Sequence, residues 1–393
     1  MDMDVKKRAS ELNDYAVELR RELHAHPELE HDLPFTEGVI VRELEKLKLD
    51  ELRPGLGRGH GVCATLVGGR PGRTLALRAD MDALPVKEET GLPFAATNGC
   101  MHACGHDAHV AMLLTAARLL AESRSELAGS VRFIFQPAEE TVAGAVSMIE
   151  SGALDKVDAI IGLHTGSIWE GLEPGQVGWR VGPMMASTTT IKVELQGRGG
   201  HGATPQFTVD PIVMAAEVVS QLQTLVSREI SPFEPAVVTF GRIAGGRAHN
   251  IIADTCELFG TMRCFNTRTD AFLKERITAT VEGVAASMRG RGTVTFSGHL
   301  PPVLNDEAIA LKMRDVVRET LGEGAEREVA LPSSGAEDFA EYLQKVPGAF
   351  FYHCSTFGDE RDYPHHNARF DVNESVLWTG AAAMAAFALK WQG

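Results

Sequence analysis

Met101-His102-Ala103-Cys104-Gly105-His106-Asp107-Ala108-His109 packs one thiol, three imidazoles and a carboxylate into nine residues. Thiolate and neutral imidazole are good ligands for borderline-soft divalent ions, and Cys104 and His106, two apart across a glycine, can face one site from a turn. Apolar residues follow at helical spacing, namely Ala111, Met112, Leu113, Ala116, Ala117, Leu119 and Leu120. This pattern predicts a loop opening into a buried helix from about Asp107 to Glu122. The free amides at the helix start favour the thiolate form of a nearby cysteine. An isolated cysteine here would read as a core residue, with His102 and His109 as satisfied loop histidines; the density of the cluster favours metal instead.

Working outward, short apolar runs on either side end in polar residues. Arg73 to Ala79 reads as a buried strand that delivers Asp80 and Asp82. Val131 to Phe135 is another and leads into Glu139-Glu140, while Asp158 to Leu163 runs straight into His164. Acidic groups at strand ends line the active sites of open α/β sheets. Solvated turn residues are the alternative for the two aspartates, and Asp80 fits it better than Asp82. Adjacent glutamates at the end of a buried strand can divide the work, one binding metal and the other acting as general base. Upstream, Tyr15, Leu19 and Leu23 share a helix face that ends before Pro27. His24 and His26, two apart, do not share that face, so packing or boundary roles suit them better than a metal pair.

From about Ile191 the texture changes. Lys192 to Leu195 alternates like a half-exposed strand, and the glycine-rich run after it presents His201 where backbone can approach a ligand. Asp210 caps a helix over about 211–228. Strands near 236–243 and 256–264, a helix near 270–288 and a strand near 293–297 complete a strand–helix–strand–strand–helix–strand order. That is a ferredoxin-like α/β sandwich inserted in a larger α/β domain with a mixed sheet. The boundaries expected are 1–187 and 301–393 for the larger domain and 188–300 for the insert. After the insert come a helix over 307–321, a Ser334/Glu337 pair spaced for a capping box, a strand over 349–352 and an alanine-rich helix over 374–389.

A chain of 393 residues exceeds one compact core, in keeping with two domains. Its formal charge of −15, with no run of lysines or arginines, argues against nucleic acid as a partner. No apolar signal core opens the chain and no uncharged stretch is long enough for a bilayer, so a cytoplasmic protein without a membrane partner is expected. Six sparse cysteines read as reduced thiols, with Cys104 alone functional.

Together these segments resemble the M20 family of metallopeptidases, in its amidohydrolase branch of hippurate hydrolases, N-acyl-amino-acid amidohydrolases and auxin-conjugate hydrolases. The most specific element is Met101–His109. Arg78 to Pro85, Gln136 to Glu140, Gly162-Leu163-His164, Gly199 to Pro205, Asn250-Ile251-Ile252, Gly260 to Arg263 and Gly335 to Phe339 agree in order and spacing. The resemblance implies a catalytic domain with an inserted lid or dimerisation domain. It further implies two divalent metals, zinc or manganese first and cobalt or nickel next, held by Cys104, His106, Glu140, His164 and His366, with Cys104 as the bridge. His366 rather than His365 takes this role because the family's late ligand stands four residues ahead of a phenylalanine, here Phe370. Glu139 becomes the general base, Asp82 the carboxylate that orients a ligand, and His201 the group that polarises the substrate carbonyl, often across a dimer interface. Asn250, Arg263 and Gly335 resemble substrate contacts. Two departures bear on specificity: Gln206 stands where the branch commonly has histidine, and residues 165–170 replace an apolar, proline-containing continuation.

The expected activity is cleavage of an N-acyl or N-aroyl amino acid into a carboxylic acid and a free amino acid, by a small-molecule hydrolase that forms a homodimer or higher homo-oligomer. Three rivals are another C–N hydrolysis, such as ammonia release from an aromatic substrate, a non-catalytic metal-binding protein, and an amidase using Cys104 as nucleophile.

Overall fold

The computed structural model describes residues 3–167, 169 and 171–391. The chain divides into two units. One is Met1–Met184 with Leu304–Ser333 and Asp338–Gly393; the other is Met185–Val303 with Ser334–Glu337.

The first unit is built on an eight-stranded mixed sheet in the order Glu51–Leu56, Gly61–Val67, Ala128–Gln136, Arg70–Asp80, Ala159–Gly166, Gly348–Cys354, Val177–Trp179, Glu326–Glu328. The third to sixth of these run parallel to one another. Their apolar runs are buried almost without interruption, and Ala159–Gly166 and Gly348–Cys354 are buried at every position. Such continuity, rather than alternation, is what a sheet covered on both faces requires. Parallel strands share one carboxyl end. Register sets Asp80 beside Gln136 and His164 beside Tyr352. Arg70–Asp80 has its next strand in sequence, Ala128–Gln136, on one side and the strand after that, Ala159–Gly166, on the other. This reversal of order opens a crevice outside the carboxyl ends.

The helix His106–Glu122 starts at that crevice, and every residue from His106 to Ala117 is buried. It packs against the helices Asn13–His24 and Leu377–Lys390. The alanine-rich sequence of the latter allows close approach. At Gly380 a Cβ would stand 2.4 Å from Met112 Sδ, so this position tolerates no side chain unless Met112 moves.

In the second unit, Thr188–Gln196, Pro211–Thr224, Ala236–Gly245, Thr255–Cys264, Thr267–Ser287 and Arg291–Leu300 reproduce the expected order of strands and helices. The four strands pair antiparallel, ordered Ala236–Gly245, Thr255–Cys264, Thr188–Gln196, Arg291–Leu300, which is the ferredoxin-like arrangement. Ile191, Val193 and Leu195 alternate inward and pack with Met214, Val218, Leu222, Ile277 and Val281 of the two helices. Asp210 caps the first helix by accepting from the amides of Ile212 and Val213, and Asn266 caps the second by accepting from that of Thr269.

Several boundaries differ from expectation. The first inserted helix ends at Thr224 and passes into a wider turn over Leu225–Glu229. The terminal helix begins at Leu377, after a single 3-10 turn. The short helix near Ser334 begins only at Phe339, so Ser334 and Glu337 precede it instead of forming a capping box. Of the divergent segment 165–170, Ile168 and Glu170 lie outside the described residues. No described helix is long and apolar enough to cross a membrane.

Candidate metal centre

The carboxyl ends of the parallel strands, with His164 on the strand Ala159–Gly166, and the segments that follow them bring several His, Cys and Glu side chains of the first unit together. Gly105, in the left-handed region at φ 85°, turns the chain into the helix and brings Cys104 and His106 to the same side. Cys104, His106 and Glu140 offer donor atoms all within 4.8 Å of one another, and so do Cys104, His164 and His365. Cys104 Sγ lies 3.4 Å from His164 Nε2 and 3.6 Å from His365 Nδ1. His366 Nε2 is 3.5 Å from Glu140 Oε1, and its side chain is 54% exposed, which puts it at the mouth of the site.

Which ring nitrogen faces the site follows from what the other one does. His106 Nδ1 lies 2.9 Å from the Asp82 carbonyl, and His164 Nδ1 lies 2.9 Å from the Thr165 carbonyl. A carbonyl only accepts, so in each neutral ring Nδ1 carries the proton and Nε2 presents a lone pair. This is how metal-binding histidines are commonly oriented. The Asp82 carboxylate accepts from the Glu139 amide at 3.0 Å and the Glu140 amide at 3.2 Å, which fixes the turn that carries both glutamates.

The donor set fits a cation. His106 Nε2 and Glu140 Oε1 are buried without a hydrogen-bond partner among the described residues, a costly arrangement unless something else satisfies them. Burial pushes the Cys104 thiol well up, and the charge of Glu140 adds to it; burial also raises Glu140. The helix start was expected to favour the thiolate, but here desolvation outweighs it, and a cation is what restores the anionic form. His106 is lowered by burial but raised more by Asp80, Asp82 and Cys104, whereas burial holds His164 well below its usual range.

Asp80 is not the solvated turn residue expected. It is fully buried, 2.6 Å from Arg78 Nη1 and 2.5 Å from His109 Nδ1. Burial alone would raise it, but Arg78, His106 and His109 hold it well below the usual carboxylate range. His109 Nε2 accepts from the Thr165 amide at 2.8 Å, so its proton points at Asp80. Arg78 continues to Asp338 at 2.8 Å and Gln136 at 2.9 Å. His109 stands one helical turn after His106, a spacing that could have flagged it. Asp338 falls in the Gly335 to Phe339 segment of the resemblance, but nothing in the sequence tied it to Arg78. His102 fits neither reading of the cluster: it joins none of the clustered donor groups among the described residues, and it is not the satisfied loop histidine of the alternative. It is buried, neither ring nitrogen has a hydrogen-bond partner among the described residues, and burial lowers it to about 3.

The profile of peptidase family M20/M25/M40 matches residues 76–390. The chain belongs to this family. This M20 chain is 40% identical over 371 residues to N-acetyl-L-cysteine deacetylase of Bacillus subtilis, covering 94% of the chain and 86% of that protein. It is 39% identical over 389 residues to IAA-amino acid hydrolase ILR1-like 4 of Arabidopsis thaliana, covering 96% and 86%. Among solved structures it is similar to the Bacillus subtilis YXEP protein, described as a dinuclear metal binding peptidase from the M20 family. There the identity is 34%, the coverage 97% and 99%, and the TM-score 0.85. Family membership and the clustered donors together support divalent metal binding.

The remaining predicted residues of the M20 chain belong to the second unit. His201 is exposed on a short strand paired with Ile251, and its Nδ1 accepts from the Ala203 amide at 3.1 Å. The Asn250 carbonyl accepts from Gly202 N at 2.9 Å, and that of Gly335 from Ala186 N at 3.0 Å. Arg263 is half-buried, donates to Thr188 and Thr261, and is lowered by desolvation. Gln206 is exposed in a 3-10 turn.

Proposed function

We propose that this chain is a dinuclear metal-dependent amidohydrolase that cleaves N-acyl or N-aroyl amino acids into a carboxylic acid and a free amino acid. The observation that carries this reading is the convergence of Cys104, His106, Glu140 and His164, with two buried donor atoms that have no hydrogen-bond partner among the described residues. Cys104 shares its sulfur between two donor sets, which favours it as a bridge. His366, beside Glu140, completes the ligands. The similarity to an N-acetyl-L-cysteine deacetylase and an IAA-amino acid hydrolase favours an amide with an amino-acid leaving group.

Two divalent cations held here would supply Lewis acidity, bringing the pKa of water toward neutrality and polarising the amide carbonyl. Glu139, whose amide is fixed by Asp82, takes the proton from the attacking water and returns it to the leaving nitrogen. Asp82 orients both the His106 ring, through its carbonyl, and the glutamate turn, through its carboxylate. On the family resemblance, His201 stabilises the oxyanion, a contribution of about 3 kcal/mol for one such donor. Asn250, Arg263 and Gly335 contact the substrate, and an arginine suits an amino-acid carboxylate. The raised Cys104 thiol counts against a free cysteine nucleophile.

The test is hydrolysis of a panel of N-acetyl amino acids and N-benzoylglycine by the metal-loaded chain. Glu139→Gln is expected to lower kcat by about 10³-fold while metal content is kept. Unchanged turnover in that variant, or activity that survives chelation, overturns the mechanism. Ammonia release without amide turnover would point to a different C–N substrate.

A further inference from the structure

Two imidazoles approach the same sulfur, and their hydrogen bonds give them opposite polarity. His164 has its Nδ1 proton on the Thr165 carbonyl and turns a lone pair toward Cys104. His365 is wired the other way. Its Nε2 lies 3.3 Å from the Ser167 amide, which can only donate, so Nε2 is the acceptor and the proton of the neutral ring sits on Nδ1. That nitrogen is the one 3.6 Å from Cys104 Sγ.

The placement of this ring is built into the backbone. Gly166 has φ 137°, and a Cβ there would stand 2.1 Å from His365 Nε2 and 2.3 Å from its Cε1. The imidazole therefore occupies the volume that any side chain at 166 would take. Phe370, with ring centroids 4.6 Å apart, backs it from another side. The next residue, His366, is in the left-handed region at φ 66°, and its amide donates to the Ala103 carbonyl at 2.8 Å. That turn sends the two consecutive histidines to different places, His366 to Glu140 and His365 to Cys104.

We propose that His365 is a positioning residue that donates its Nδ1–H to the Cys104 thiolate, with Gly166 as the space that admits it, so that it tunes how strongly the sulfur binds metal without binding metal itself. The inference rests on the metal reading above. A hydrogen bond to an anionic sulfur in a dry pocket stabilises its charge and lowers the energy of its lone pairs. A third ligand in the Cys104/His164 set would need a lone pair on Nδ1, which the Ser167 contact assigns to Nε2.

The test uses the full chain loaded with cobalt(II), read by the near-ultraviolet thiolate-to-cobalt charge-transfer band and by cobalt affinity in competition with a chelator. His365→Leu is expected to keep the wild-type number of cobalt ions, move the band to longer wavelength and weaken binding by about 10-fold. His365→Asn, whose amide N–H can take the place of Nδ1–H, should return the band toward its wild-type position. Gly166→Ala, which displaces the ring while leaving it present, should act like His365→Leu and gives a second route to the same answer. An unmoved band in both His365→Leu and Gly166→Ala overturns the proposal. So does the loss of one cobalt per chain in His365→Leu, which would make the residue a ligand. If wild type shows no thiolate band at all, it is the metal reading that fails, and this proposal falls with it.

Discussion

His106 and Asp107 are neighbours at the start of one helix, yet they enter two buried polar clusters of opposite character. Asp107 accepts from Arg20 Nε at 2.9 Å, His24 Nδ1 at 2.7 Å and the Ala108 amide at 2.9 Å. Arg20 goes on to Asp371 at 2.8 Å and Glu374 at 3.1 Å, and His24 Nε2 meets Glu88 at 3.1 Å. Every charge in that cluster has a counter-charge. On the other side of the chain, His106 Nε2 and Glu140 Oε1 have no hydrogen-bond partner among the described residues, and the Cys104 thiol is forced up by burial. A buried cluster that is closed on itself ties elements together; one left open is prepared for something it does not contain.

Breaking the open cluster should therefore affect chemistry far more than folding. Cys104→Ala is expected to abolish metal-dependent turnover and the stabilisation by added metal, which is about 4 kcal/mol at a thousand times the dissociation constant. The unfolding free energy of the chelated chain should change by only about 1 kcal/mol. Denaturant titrations with and without metal check both. A large loss of stability in the chelated variant would contradict the distinction. Breaking the closed cluster should do the reverse. Arg20→Met strands Asp107 beside His24 and should cost about 3 kcal/mol in the same titration, while the variant that remains folded keeps its metal content.

The same distinction explains what could be read from the sequence. Strand ends that deliver Asp82, Glu139-Glu140 and His164, and the helix after Cys104, followed from apolar runs and their interruptions, because a sheet buried on both faces enforces that pattern. The βαββαβ order of the second unit followed from alternation such as Ile191, Val193 and Leu195, and from the Asp210 cap. Asp80 was misread because a carboxylate after a strand looks the same whether it meets water or the buried pair of Arg78 and His109; only the fold brings those together. Asp338, 260 residues from Arg78, is the extreme case. The His365/His366 pair shows a further limit. The resemblance selects one of two adjacent histidines by its distance from Phe370, while the left-handed backbone at His366 sends one ring to Glu140 and the other to Cys104.

Acid sharpens the comparison further through His353, which lies in a closed set. Its Nδ1 meets Thr165 Oγ1 at 2.8 Å and its Nε2 meets Thr379 Oγ1 at 2.8 Å and the Val376 carbonyl at 3.0 Å. Burial lowers it to about 4. The folded pKa is below the unfolded value of about 6.5, so the unfolded chain takes up the proton first. The stability contributed by the neutral ring is present above pH 6.5 and is lost as pH falls from there toward 4, up to about 3 kcal/mol. In the chelated protein, His353→Gln should flatten that part of the stability–pH curve; an unaltered slope would mean that the ring is already charged in the folded state.

Asp82 joins the two kinds of cluster, since its own hydrogen bonds are filled while His106 and Glu140, which it holds, each keep a buried atom with no hydrogen-bond partner among the described residues. Asp82→Asn keeps one acceptor for the Glu139 or Glu140 amide but sets an N–H against the other. The turn carrying both glutamates should loosen without the core losing volume. Metal affinity is then expected to fall by about 10-fold to 100-fold, as for other groups that orient ligands, with a smaller change in the stability of the chelated chain than for Arg20→Met. If chelated stability fell as far as it does for Arg20→Met and metal affinity held, Asp82 would belong with the closed cluster, as a brace for the fold and not for the ligands.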